Sequence, residues 1–254
     1  MLGVEASDIA HPDDVLGPRF GRFGPDGSPH VIAGHNMPLV GMGVFILWFG
    51  WFGFNAGSTL GFDEPEVVAR VAINTTLAPS AGAIAAMFTA WAWWGKPDLT
   101  ISLNGALAGL VGITAPCAVV SPSAALFIGL LAGILVVFGI DWMNRIGVDD
   151  PVGAAPVHGL CGIWGTLAVG LFGQAALGAP KDGLLYGGDF GQLGIQCLGI
   201  IACYAFAGLA MYIVFKFIDV TVGLRVSHET ELRGLDLDEH GMESYSGFQI
   251  FTTD

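Results

Sequence analysis

The stretch from Leu99 to Ile140, LTISLNGALAGLVGITAPCAVVSPSAALFIGLLAGILVVFGI, contains no charged residue. A bilayer core about 30 Å thick is crossed by about 20 apolar residues of helix, so this stretch is too long for one crossing. Ser121-Pro122-Ser123 punctuates it near the middle. It therefore divides into spans over 100–119 and 123–142. Outward from it, charge-free runs at 37–60 and 71–95 precede, and 152–180 and 191–215 follow, the last running on toward Val222. The pattern predicts an all-α, polytopic membrane helix bundle with six transmembrane helices. The connections, among them Gly61-Phe62-Asp63-Glu64-Pro65, Lys96-Pro97-Asp98 and 179–183, are short turns with no room for a further domain. A polar segment over 1–36, a membrane domain over 37–222 and an acidic tail over 223–254 are expected.

Composition agrees. Of 254 residues, 53% are apolar and only 12% charged, half the charge of an ordinary soluble domain at about 25%. The 39 glycines weaken soluble helices but let membrane helices approach closely. The net charge of −13 excludes nucleic acid as a partner. The acids gather in the ends, from Glu5 to Asp26 and from Glu229 to Asp254. Cys117, Cys161, Cys197 and Cys203 form no CxxC pair and lie in apolar sequence. They are read as small buried residues, and no metal site, cofactor or enzymatic activity is expected. The residues before Met37 are polar, so no signal peptide is expected. Six spans place both termini on one side. Arg19, Arg22, Lys96, Arg145, Lys216, Arg225 and Arg233 fall on that side, and Arg70 and Lys181 on the other. This asymmetry makes the termini cytoplasmic, in a multi-pass protein of the cell membrane.

Polar side chains inside a bilayer are costly and face a bundle interior or a cavity. Asn55 and Ser58 in the first span, Asn74, Thr75 and Thr76 in the second, Asn104 and Thr114 in the third, and Gln174 near the end of the fifth are such residues. His158 is the one histidine inside a span. It is either an interior histidine bonded to a neighbouring helix or a pore-lining imidazole able to shuttle protons near neutral pH. The run Trp48-Phe49-Gly50-Trp51-Phe52-Gly53-Phe54 is either a lipid-facing aromatic belt or an aromatic gate whose ring faces attract a small cation. Asp149 and Asp150 open the fifth span, where acids complement a helix dipole.

Together these residues resemble the ammonium transporter family (Amt/MEP/Rh). The resemblance runs from about Leu16 to Tyr245. It is carried by Trp51-Phe52-Gly53-Phe54-Asn55-Ala56-Gly57-Ser58, Gly95-Lys96-Pro97, the glycine-rich run from Gly105 to Thr114, Val148-Asp149-Asp150-Pro151 and Val157-His158-Gly159. The tail adds Thr221-Val222-Gly223-Leu224-Arg225, Gly234-Leu235-Asp236 and His240-Gly241. Their order between the spans is highly specific. The family fold is an eleven-helix bundle of two inverted five-helix repeats, assembled as a trimer with one pore per subunit. The six spans resemble helices six to eleven.

The resemblance implies ammonium or ammonia as the transported species. It implies Phe54 as one of two gate phenylalanines, Ser58 at the outer recruitment site with Trp51 and Asn55 nearby, and His158 as the second of a pore histidine pair. It implies a tail, from Gly223-Leu224-Arg225 through Asp236, that couples subunits, and a cytoplasmic face able to bind a PII-type signal protein. Asp238 stands where plant members carry a phosphorylated threonine. The chain departs from the family in lacking the first five helices, so it is expected to be a partial chain. His11, in the polar segment, is not placed to replace the first pore histidine. Gly153-Ala154-Ala155-Pro156 and Ala115-Pro116-Cys117 also depart from the family pattern. A different role, as a regulatory or assembly subunit for full-length transporters, is the alternative, and transport of another small neutral gas is a third.

Overall fold

The computed structural model describes residues 16–245. The expectations placed on His11 and on the rest of 1–15, and on 246–254, lie outside the described residues. Eight α-helices are present among those described: α1 (Met37–Asn55), α2 (Pro65–Trp94), α3 (Leu99–Thr114), α4 (Pro122–Arg145), α5 (Cys161–Phe172), α6 (Phe190–Thr221), α7 (His228–Arg233) and α8 (Leu235–His240). A π turn, Ala155–Leu160, leads into α5.

The helix starts follow from local chemistry. Asn36, Asp98 and Ser121 accept hydrogen bonds from the backbone N–H groups of Leu39, Ile101 and Ala124, satisfying donors that a helix start leaves free. Pro38 and Pro122 then occupy the first turns, where no N–H is needed. Five of the apolar segments are long enough to cross a membrane: Met37–Thr59, Pro65–Trp94, Pro122–Arg145, Ala155–Phe172 and Phe190–Thr221.

The third expected span differs. Instead of 100–119, α3 has 16 residues, about 24 Å of rise, less than the bilayer core. It ends ahead of Pro116, which has no N–H to continue the ladder. The fifth expected span is likewise cut at Phe172. Residues 173–189 form a loop with two 3-10 turns, Ala175–Leu177 and Leu184–Tyr186, rather than a short turn. In contrast α2 starts six residues before the charge-free run, because Glu66 and Arg70 fit a helix end outside the apolar zone.

The chain forms two compact units, one of residues 32–207 and one combining 16–31 with 208–245. The first is built around α2, which lies between α3 and α4 in backbone contact. A Cβ at Gly109 would stand 2.5 Å from the Ala78 oxygen and 2.7 Å from the Pro79 Cα. One at Gly129 would fall on the Ala78 carbonyl, and one at Gly133 on the Gly82 carbonyl. Small residues four apart on each helix thus interlock, which is how membrane helices gain packing energy where lipid removes the hydrophobic drive. A Cβ at Gly165 would stand 2.6 Å from the Gly112 oxygen, so α5 seats on the carbonyl that Pro116 leaves without its usual partner.

Two buried clusters fill this bundle. One gathers Val71, Ile113, Val120, Ile128 and Phe172, the other Ala86, Ile101, Ala108, Val136, Val157 and Cys161. Polar side chains staple two loops to α2: Arg70 donates to the Ala118 carbonyl of the α3–α4 turn and to the Leu177 carbonyl of the loop after α5, and Asn74 donates to the Cys117 and Val120 carbonyls of the α3–α4 turn. By contrast α1 buries only Val44 and Asn55, and α6 only Gln192. For this reason the expectation of four buried cysteines holds for Cys117 and Cys161 alone; Cys197 and Cys203, on α6, are exposed.

Candidate functional site

The end of α1 holds Trp51, Phe54 and Asn55, and a 3-10 turn, Gly57–Thr59, carries Ser58. Trp51 Nε1–H donates to Thr114 Oγ1 at 2.8 Å, and the Thr114 hydroxyl donates to the Leu110 carbonyl at 2.7 Å. The indole is thereby fixed on α3. Phe54 stands edge-on to it, ring centroids 5.9 Å apart at 73°, and is 57% exposed. The aromatic run therefore divides, with Trp51 turned to the bundle and Phe49 and Phe54 outward.

Asn55 is buried, and its Nδ2 donates to Thr75 Oγ1 at 3.1 Å, so it joins α1 to α2. Ser58 is exposed and its hydroxyl donates to the Phe54 carbonyl at 2.5 Å. A hydroxyl committed as donor keeps its oxygen lone pairs available, which suits it to accept from an N–H cation. An open cavity of about 480 Å³ is lined by Asn55, Ser58, Asp63, Glu64 and Thr114, among others.

His158 sits in the π turn. Asp150 caps that turn: its carboxylate accepts from the N–H groups of Ala154 at 2.9 Å and Ala155 at 2.8 Å. Asp149 precedes it in the segment between α4 and the π turn. Gly153 has φ +73°, a left-handed conformation that glycine takes without cost. Pro156 and Val157 point into the bundle and are buried, while His158 is exposed. A Cβ at Gly153 would stand 3.0 Å from the Asn104 side chain and one at Gly162 3.9 Å from that of Val111, which brackets the turn at about Ala108 on α3. Trp51 bonds Thr114, six residues further along α3, about 9 Å by helical rise. The ring pair and the imidazole-bearing turn are therefore stacked along one helix, about a turn and a half apart.

The tail belongs to the unit of residues 16–31 and 208–245. Gly223, at φ +79°, follows the end of α6, and Leu224 is half-buried. Arg225 donates to both Glu231 carboxylate oxygens, at 3.0 and 3.1 Å, and to the Leu16 carbonyl at 2.8 Å. Its guanidinium lies 4.7 Å from the Phe20 ring centroid, and His228 stacks on Phe20 at 3.8 Å. Asp236 accepts from the N–H groups of Leu237 and Ser244. The Ser244 N–H is the main cause that holds its carboxyl below the ordinary value of 3.8. Asp238 pairs with Arg233 at 3.6 Å.

Three residues of this arrangement escape a reading of the sequence as sites. Thr114 and Thr75 had only their polarity to mark them, and Tyr204, which bonds the Gly159 carbonyl at 2.7 Å, lies unmarked in an apolar run.

A helical bundle of this kind, apolar on its outer faces and carrying aromatic rings and an imidazole on exposed helix surfaces, defines a multi-pass integral membrane protein. The family model described as Ammonium Transporter Family matches residues 14–245, and the chain belongs to that family. It is 44% identical to ammonium transporter Amt2 of Archaeoglobus fulgidus, over 94% of this chain and 52% of that protein. It is 41% identical to a putative ammonium transporter, sll1017, of Synechocystis, over 93% of this chain and 51% of that one. Among solved structures it resembles a sensor Amt protein with a TM-score of 0.81 at 37% identity, covering 89% of this chain and 54% of that one. It also resembles Saccharomyces cerevisiae Mep2, TM-score 0.76 at 26% identity, covering 84% and 49%. The chain spans about half the length of the curated relatives it matches.

Proposed function

We propose that this chain forms one wall of an ammonium-conducting channel. The observation that carries the proposal is the order of groups along α3: Ser58 and the Trp51–Phe54 ring pair at one level, and His158 about a turn and a half below. The Ser58 oxygen and the ring faces offer acceptors and negative π density to a small cation. Phe54 closes the passage beneath. The His158 imidazole, which has a ring nitrogen able to accept a proton, takes one from the ion, so that ammonia and the proton cross an apolar interior separately. Phe54, Ser58 and His158 are exposed on this chain, so the pore needs a second wall, supplied by further helices of the same kind.

The test is uptake of labelled methylammonium in cells lacking their own ammonium transporters. The chain alone should give none. Co-expressed with the first half of the Archaeoglobus fulgidus relative it should restore uptake, and His158→Ala should abolish it. Uptake indifferent to His158→Ala, or robust uptake by the chain alone, would overturn the proposal.

The same proposal places 37–222 as the membrane domain, with 1–36 and the tail at 223–254 on the cytoplasmic side, in a homotrimer or in assembly with full-length subunits. The Arg225–Glu231–Phe20–His228 cluster favours a second role for the tail as a regulatory element, one able to receive a PII-type signal protein. Blue-native mass with and without full-length subunits distinguishes a channel wall from a purely regulatory subunit.

A further inference from the structure

Few side chains of the first part of α6, residues 190–207, are buried in the bundle. Gln192 is its one buried residue, and Leu193 packs where a Cβ at Gly170 would stand 2.7 Å from its Cα. One long polar side chain crosses the gap: the Tyr204 hydroxyl donates to the Gly159 carbonyl at 2.7 Å. Other hydroxyls on these helices turn back on their own backbone, as Thr76 does to Ala72, Ser80 to Thr76 and Thr166 to Gly162. Tyr204 instead reaches the residue that follows His158. Gly159 leaves the approach clear, and a Cβ there would stand 3.4 Å from the hydroxyl.

The place of this bond matters. The π turn is wider than an α turn and changes register where it passes into α5 at Cys161. A carbonyl oxygen has two lone pairs, so the Gly159 carbonyl can accept from Tyr204 beside any partner within its own helix. His158 is fixed at its start by the Asp150 cap on Ala154 and Ala155; Tyr204 fixes the other side. We infer that Tyr204 is a positioning residue for His158: it anchors the peptide following the imidazole-bearing residue and so sets the height and direction of the ring in the channel wall. This rests on His158 being the pore imidazole, and the bond itself does not.

Two measurements on Tyr204→Phe test it, with the ring kept and the hydroxyl removed. In the full chain in lipid nanodiscs, NMR of labelled histidine and glycine should show His158 changing from one χ1 rotamer to an average of several, with a shifted Gly159 carbonyl resonance. In the complemented uptake assay the maximal rate, per folded complex, should fall roughly two- to tenfold, the range of one net hydrogen bond. The half-saturating concentration should stay put, because recruitment lies at Ser58 and Phe54. A purely structural role would lower the amount of folded protein without altering the rate per complex or the His158 rotamer. An unchanged rotamer together with an unchanged rate overturns the inference. Uptake insensitive to His158→Ala overturns the channel reading instead, while the NMR arm still reports on the bond. Should Tyr204→Phe not fold, exchange of the wild-type Tyr204 hydroxyl proton decides: slow exchange with a single His158 rotamer supports the inference, and fast exchange overturns it.

Discussion

At the scale of single residues, the hydroxyl of Thr114 does two jobs: it accepts from Trp51 and donates to Leu110. Thr114→Val keeps the shape and leaves the partly buried indole N–H without its acceptor, which costs about 1–3 kcal/mol. The expected outcome is a lower unfolding midpoint in detergent, with Thr114→Ser close to wild type; a Val variant as stable as the parent would show that the indole is not held by this bond. Asp236 gives a pH dependence with a definite sign. Its folded-state carboxyl is held below 3.8, chiefly by the Ser244 N–H, so its contribution to the tail turn is complete above 3.8 and is lost as pH falls through the lower folded value. The Ser244 amide resonance should therefore titrate with its midpoint below 3.8. A midpoint at or above that value would remove the cause assigned to it.

At the scale of elements, glycine spacing decides which helices touch. Gly129 sits where a Cβ would strike the Ala78 carbonyl, and backbone cannot yield as a flexible side chain can, so Gly129→Val should cost about 3 kcal/mol, the upper end of overpacking. With Cys197 and Cys203 replaced by Ser, the buried thiols of Cys117 and Cys161 report unfolding through a thiol-reactive dye, and the variant should unfold at lower temperature. Asp150→Ala removes both caps of the π turn and should cost about 0.5–2 kcal/mol in the same assay, with Asp150→Asn milder because one acceptor survives. These elements were unequally legible in the sequence. Charge-free runs marked where α1 to α6 lie, and the turns at Lys96-Pro97-Asp98 and Ser121-Pro122-Ser123 marked the starts of α3 and α4, whereas the charged α7 and α8 carried no such mark. The early end of α3 was obscured because Ala115-Pro116-Cys117 is as apolar as the helix itself, and hydropathy does not register a missing N–H. The loop after Phe172 was hidden for the same reason, being rich in Gly and Ala.

At the scale of the whole molecule, the distribution of exposure is the informative feature, since α1 and α6 bury almost nothing while α2, α3 and α4 interlock. The identity of Phe54, Ser58 and His158 as marked residues could be read from motifs, but their stacking along α3 depended on the Trp51–Thr114 bond and the π turn, which join distant parts of the chain. The exposed imidazole also separates stability from function. In a chain alone in lipid, His158 faces hydrocarbon, and a polar group moved there without a full set of partners costs about 0.5–2 kcal/mol on the milder transfer scales. His158→Leu should therefore stabilise the isolated chain in nanodiscs by about that amount, since it replaces a polar ring with an apolar side chain on an exposed surface. In the assembly complemented with first-half helices the same substitution should abolish methylammonium uptake, because leucine offers no ring nitrogen to accept a proton below the ring pair. A histidine kept for packing would lower stability in both settings when replaced, and a histidine kept only for solubility would leave uptake intact. Opposite signs in the two measurements, a gain for the lone chain and a loss for the assembly, are the outcome that a half-built pore wall requires.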